Sequence, residues 1–204
     1  MEDLELDFEQ RWIPRSLDIL ASLQNKECMQ LKAGWKKSRP HDSVPQLHER
    51  NEKLSHMELV KSQEWRQTCY FLTHHPVFKE TSTTTETRVV FAGSPKTSNG
   101  LSLNDILQVG PTVQHDLYSI VLRFRAHHVC CTADIARMNR QINIHQHDQV
   151  QQRFLWRYSS EEPIQVYKLT TVTYGTLSAP YLATRCLKKL ADVTSVNIQS
   201  LLKC

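Results

Sequence analysis

Long apolar runs are missing from this 204-residue chain. No stretch approaches the ~20 consecutive apolar residues that a membrane-spanning helix requires, so no membrane partner is expected. Glycine and proline are scarce, 5 and 8 residues, which excludes collagen-like and low-complexity chains. There is no Cys-x-x-Cys pair. The six cysteines stand at 28, 69, 130, 131, 186 and 204, too few and too scattered for a small disulfide scaffold, and are expected to be reduced thiols. A basic leader followed by an apolar block is absent too. Residues Met1–Gln10 are acidic, so a secretory signal is not expected and an intracellular setting, cytoplasmic or nuclear, is.

What is present is ordinary globular material, 40% apolar and 23% charged, enough to bury a core. The charge is uneven. Residues 1–92 carry 13 basic and 14 acidic groups, a net −1, whereas residues 93–204 carry 12 basic and 7 acidic groups, a net +5. The second half is the one suited to meet a polyanion.

Periodicity divides the chain. Ser16 caps a predicted helix through Leu17, Leu20, Leu23 and Leu31, and residues 34–45 read as a linker with two prolines. Residues 46–56 form a polar helix with Leu47 and Leu54 on one face. Cys69–Lys79 and Arg88–Phe91 are rich in strand formers and read as a hairpin. Val113, Leu117, Ile120, Val121 and Phe124 follow the helical period after Pro111, and Val129–Ile135 reads as a short apolar strand ending in Asp134. Arg153–Tyr158 and Ile164–Leu169 alternate as a second hairpin. A final helix runs from Ser178 and Pro180 to Ala191. Helices interleaved with antiparallel hairpins predict an α+β class.

The run Cys131-Thr-Ala-Asp-Ile-Ala-Arg-Met-Asn-Arg-Gln-Ile142 resembles motif A of reverse transcriptases. Arg153-Phe-Leu-Trp-Arg157 and Tyr174-Gly-Thr-Leu-Ser-Ala-Pro-Tyr-Leu-Ala183 resemble the approach to motif B. Phe71–Glu80 with Thr83–Phe91 resembles the fingers hairpin, and Lys96–Thr112 is the most family-specific stretch. In this order and spacing, the segments together resemble the reverse transcriptase domain of BEL/Pao-type LTR retrotransposon polyproteins. The resemblance spans residues 46–192. Residues 1–45 form an unassigned helix and linker, and residues 193–204 a tail.

The resemblance implies a right-hand polymerase fold, with fingers at 69–92 and 150–172 and palm at 112–134 and 174–191. It implies an RNA-directed DNA polymerase whose partners are an RNA or DNA template-primer, deoxynucleotides and the rest of a retrotransposon polyprotein. Asp134 would be the catalytic carboxylate and magnesium ligand. Arg88, Lys79, Asn139, Tyr174 and Gly175 would surround the nucleotide, and Arg153, Arg157 and Pro180 would meet nucleic acid. Nucleotidyl transfer uses two Mg²⁺ held by converging hard carboxylate oxygens. The family supplies one Asp from motif A and two from a Tyr-x-Asp-Asp hairpin, and this sequence contains no Asp-Asp pair. The chain by itself is therefore expected not to polymerise. It departs from the family pattern at Asn139, where an aromatic residue is usual, at Ala92, where an acid is usual, and at Ala179, where a serine is usual.

Three competing readings follow from the residues alone. Asp134 is also placed to cap a turn. His127, Cys130, His145 and His147 lack the paired spacing of a zinc site, and Cys130-Cys131 reads as small apolar packing. Trp156 and Tyr158 with Arg153 and Arg157 fit a stacking surface for nucleic acid and, equally, a hairpin with a buried face. Two further functions stand beside the polymerase: a non-catalytic nucleic-acid-binding module and a relic without function.

Overall fold

The computed structural model describes residues 43–66, 69–78, 87–97, 99–159 and 161–201. The helix expected over 17–31, most of the 34–45 linker and Lys79 lie outside them. Helix α1, Ser43–Lys53, leads into strand β1, Met57–Leu59. Strands β2, Thr73–Phe78, and β3, Thr87–Ala92, form an antiparallel hairpin. Two short helices and one longer one follow: α2, Leu103–Ile106; α3, Leu117–Arg125; and α4, Gln146–Gln149. Strands β4, Arg153–Trp156, and β5, Gln165–Leu169, come next, and helix α5, Ala179–Leu201, closes the chain. The class is α+β with antiparallel sheets.

β5 is the centre of a three-stranded sheet, with β1 on one side and β4 on the other. The β4–β5 register sets Phe154 opposite Tyr167 and Leu155 opposite Val166. Because successive side chains point to opposite faces, this register sorts them into two layers. Phe154, Trp156, Tyr167 and Leu169 join Val44, Met57, Tyr70, Leu72, Phe91 and Leu103 in the main core. Leu155 and Val166 join Val60 on the other face. All four β4 residues are buried, so this strand is covered on both sides.

The segment before β2 ties the β2–β3 hairpin to this sheet. Leu72 N–H donates to the Arg153 carbonyl (2.7 Å) at the edge of β4. The Tyr70 hydroxyl donates to the Pro95 carbonyl (2.6 Å), tying the loop after β3 back to the start of the hairpin. α1 packs on β3 and β1 through Val44 and His48, one helical turn apart. The expected Leu47–Leu54 face is not the inward one: Leu54 is 47% exposed. The inward stripe is fixed by the aromatic rings of β3 and β4, which receive His48 instead.

The expected 112–126 helix starts later, at Leu117, where Asp116 accepts from Ser119 N–H (2.9 Å) as an N-cap. None of its residues is buried, although Ile120, Val121 and Phe124 follow the helical period. The expected strand over 129–135 does not form; the segment is irregular and exposed. A strand needs a neighbour for its backbone groups, and none among the described residues pairs with it. Cys130 and Cys131 are accordingly exposed thiols rather than packed ones. α5 runs ten residues beyond the expected end at Ala191. Among the described residues, no helix is long and apolar enough to cross a membrane.

Candidate functional site

The segment 173–178 is where distant parts of the chain meet. Gly175 sits at φ +95° with its backbone against β3, where a Cβ would lie 1.9 Å from the Phe91 carbonyl oxygen. Only glycine adopts this conformation without strain and leaves room for that carbonyl. The Gly175 carbonyl accepts from Gly93 N–H (3.3 Å) and from Asn104 Nδ2 (3.2 Å). Asn104 works in both directions, its Oδ1 accepting from Leu177 N–H (2.9 Å) and its own N–H donating to the Gly93 carbonyl (3.0 Å). α2, which carries Asn104, is held by a capping box between Ser102 and Asp105. Those bonds hold the Asp105 carboxyl below its usual range. The 96–112 stretch thus positions one amide that joins the end of β3 to the turn before α5.

A second set of bonds brings the 138–144 segment to the same place. The chain after β5 continues extended, with Val172 N–H donating to the Ile142 carbonyl (2.9 Å) and Ile144 N–H to the Thr170 carbonyl (2.8 Å). On its other side, Thr170 N–H donates to the His56 carbonyl (3.2 Å) and its hydroxyl to the Ser55 carbonyl (2.6 Å). Asn139 is buried in the short 3₁₀ turn Met138–Gln141. Its neighbour Arg140 donates through Nη1 to Thr171 Oγ1 (3.2 Å) and lies 5.8 Å from the Phe91 ring centroid, a cation–π distance. Burial lowers the Arg140 guanidinium to about 10, while the nearby Tyr174 phenol acts in the opposite sense. It stays charged at neutral pH.

Of the residues expected around a nucleotide, Asn139, Tyr174 and Gly175 are carried by segments that converge on β3. Tyr174 is exposed, 54%, beside Arg140. Arg88 is exposed on β3 opposite Val77, three residues before Phe91, or about 10 Å along a strand. Asp134 stands apart, exposed in the irregular 129–135 segment. Among the described residues, no group of three or more His, Cys, Asp or Glu gathers to hold a metal ion. His127, Cys130, His145 and His147 are not gathered for zinc either; the His145 and His147 rings stack on each other at 5.2 Å.

Arg153, expected at a nucleic-acid surface, is 1% exposed and donates through Nη1 to the Glu64 carbonyl (2.9 Å). The Trp156 ring is also buried, and the half-buried Tyr158 hydroxyl donates to Glu52 (3.0 Å). The β4 alternation therefore marks a strand enclosed on both faces, not a stacking platform. Arg157 is half-buried, and Pro180 is exposed in the first turn of α5.

Three further residues define the site. Asn104 and Arg140 carried no sequence signal beyond lying inside the motif-like runs. His48 is fully buried, 4.1 Å from Trp156 and 5.5 Å from Phe154 between ring centroids, with His74 5.8 Å away. Neither of its ring nitrogens has a hydrogen-bond partner. Burial, reinforced by His74 and Arg140, lowers its pKa to about 3; burial and His75 lower His74 to about 4.

Comparison with family models and with curated proteins finds no match to this chain.

Proposed function

We propose that this chain is the fingers and adjoining palm part of a reverse-transcriptase-like polymerase, and that these 204 residues bind nucleic acid and nucleotide rather than join them. The observation that carries this reading is the closure of the Gly175 turn on Phe91, Gly93 and Asn104. It joins the segment that resembles motif B to the β2–β3 hairpin, and Arg140, within the run that resembles motif A, meets Thr171 and Phe91 beside it. The net +5 of residues 93–204, with Arg88 and Arg137 both exposed, supports a polyanionic partner. The sequence contains no Asp-Asp pair, and two divalent ions need several converging carboxylates, which supports binding without transfer.

The test is fluorescence anisotropy of a labelled RNA–DNA primer–template. Binding is expected at about 50 mM salt, with the logarithm of affinity falling linearly as the logarithm of salt rises toward about 200 mM. Absence of binding at the lower salt refutes the reading. In parallel, primer extension with Mg²⁺ is expected to be no greater for the chain than for Asp134→Ala; extension above that control refutes the non-catalytic part.

A further inference from the structure

Free cysteine is among the most buried residue types, because its thiol packs as a small apolar group. Cys130 and Cys131 are both exposed. Both line an open groove of about 430 Å³ at the C-terminal end of α3, together with Arg123, His127, Phe124 and Val129. Small-molecule sites commonly span about 300–1,000 Å³. The charge beside this groove has one sign. Residues 117–131 contain Arg123, Arg125, His127 and His128 and no acid. Asp116, just before them, is engaged with Ser119 as the N-cap, and Asp134 is not among the groove's lining. Reactive thiols are found in such exposed, electropositive surroundings.

The two thiols are not equivalent. Cys130 Sγ donates to the Phe124 carbonyl (2.7 Å) and more distantly to the His127 carbonyl (3.8 Å), at a helix end where carbonyls lack intrahelical donors. The Cys131 thiol has no hydrogen-bond partner among the described residues. We propose that Cys131 is a site of reversible thiolation by an anionic low-molecular-weight disulfide of the glutathione class, drawn to the groove by Arg123. Each half of such a disulfide carries more carboxylate than ammonium, so a cation beside the thiol raises its local concentration. The Cys131 thiolate attacks one sulfur of the disulfide. A new S–S bond forms to Cys131, the original S–S bond breaks, and the second half leaves as a thiolate that takes a proton from water. Cys131 is oxidised and the departing half reduced, so no further oxidant is needed. The modification does not depend on the nucleic-acid reading above.

The experiment is incubation of the full chain with glutathione disulfide, or with the dication cystamine, at low salt, followed by intact-mass and peptide-mass measurement. It is repeated with Cys130→Ser, Cys131→Ser and Arg123→Gln, each checked by circular dichroism. The 130–131 peptide is expected to gain one glutathione in wild type and in Cys130→Ser, and none in Cys131→Ser over the same time. Glutathione disulfide is expected to react faster than cystamine at this peptide, and Arg123→Gln to slow it about threefold, the scale of one charge pair across water. At about 1 M salt, where the screening length is about 3 Å, the preference for the anionic reagent is expected to vanish. Should a variant not fold, this salt comparison on wild type decides. No adduct at Cys131, an adduct forming as fast at Cys130, or glutathione disulfide reacting no faster than cystamine at low salt overturns the site. A preference unchanged in folded Arg123→Gln overturns the part given to Arg123.

Discussion

Acidification is expected to destabilise this protein well above the pH at which carboxylates titrate. His48 and His74 sit among Phe91, Phe154 and Trp156, and burial holds their pKa values near 3 and 4. In the unfolded chain a histidine titrates near 6.5. Between those values the unfolded state binds more protons than the folded one, so stability rises with pH. It is fully present above about pH 6.5 and is lost as pH falls below it. Each histidine contributes about 1.4 kcal/mol per pH unit in that window, or about 2 kcal/mol between pH 7.5 and pH 5. The two together amount to about 4 kcal/mol, a large part of a domain's usual margin of about 5–15 kcal/mol. His56, also lowered, acts in the same direction. The assay is urea unfolding followed by circular dichroism at pH 7.5, 6 and 5. His48→Phe keeps a ring against Trp156 and removes the titrating group, so it is expected to remove about half of the loss. The reasoning is refuted if wild-type stability is flat from pH 7.5 to 5, or if His48→Phe retains the full slope.

Gly175→Ala is expected to cost about 2–5 kcal/mol, from a left-handed backbone and a clash with the Phe91 carbonyl, read as a fall in thermal midpoint. Asn104→Ala removes the amide that joins Gly175 and Leu177 to β3, and about 1–3 kcal/mol is expected in chemical denaturation. Phe154→Ala empties the centre of the main core, and a loss of about 3–5 kcal/mol is expected, enough to leave a large unfolded fraction at 37 °C.

Elements whose signal lies in their own pattern were legible in the sequence. The β4–β5 hairpin and the β2–β3 hairpin follow from alternation and strand-forming residues, and the start of α5 from Ser178 and Pro180. What depends on a partner was not. Val129–Ile135 has strand composition, but a strand forms only where another pairs with it. α3 has helical spacing and caps at Asp116, yet its apolar face meets no cover among the described residues. The charged–apolar alternation at Arg153 suits either a surface or an enclosed strand, and only the Glu64 carbonyl decides for the latter. His48 lay in a polar helix, where nothing local marks it as the inward residue. At the site, Asn139, Tyr174 and Gly175 were found through motif resemblance, whereas Asn104 and Arg140 depend on bonds spanning 71 and 31 residues.

The closure between Gly93 and Gly175 has a kinetic consequence. Joining points this far apart along a chain costs on the order of 4 kcal/mol of loop entropy, which must be met before the contacts themselves return anything. The local hairpins β2–β3 and β4–β5 carry no such cost and are expected to form first. The Asn104–Gly175 junction and the β1–β5 pairing, which joins points still further apart, then complete later, so the transition state for folding has the hairpins without the site. Asn104→Ala, which weakens that junction, is therefore expected to speed unfolding while leaving the folding rate almost unchanged. In a stopped-flow chevron, its effect would fall on the unfolding arm.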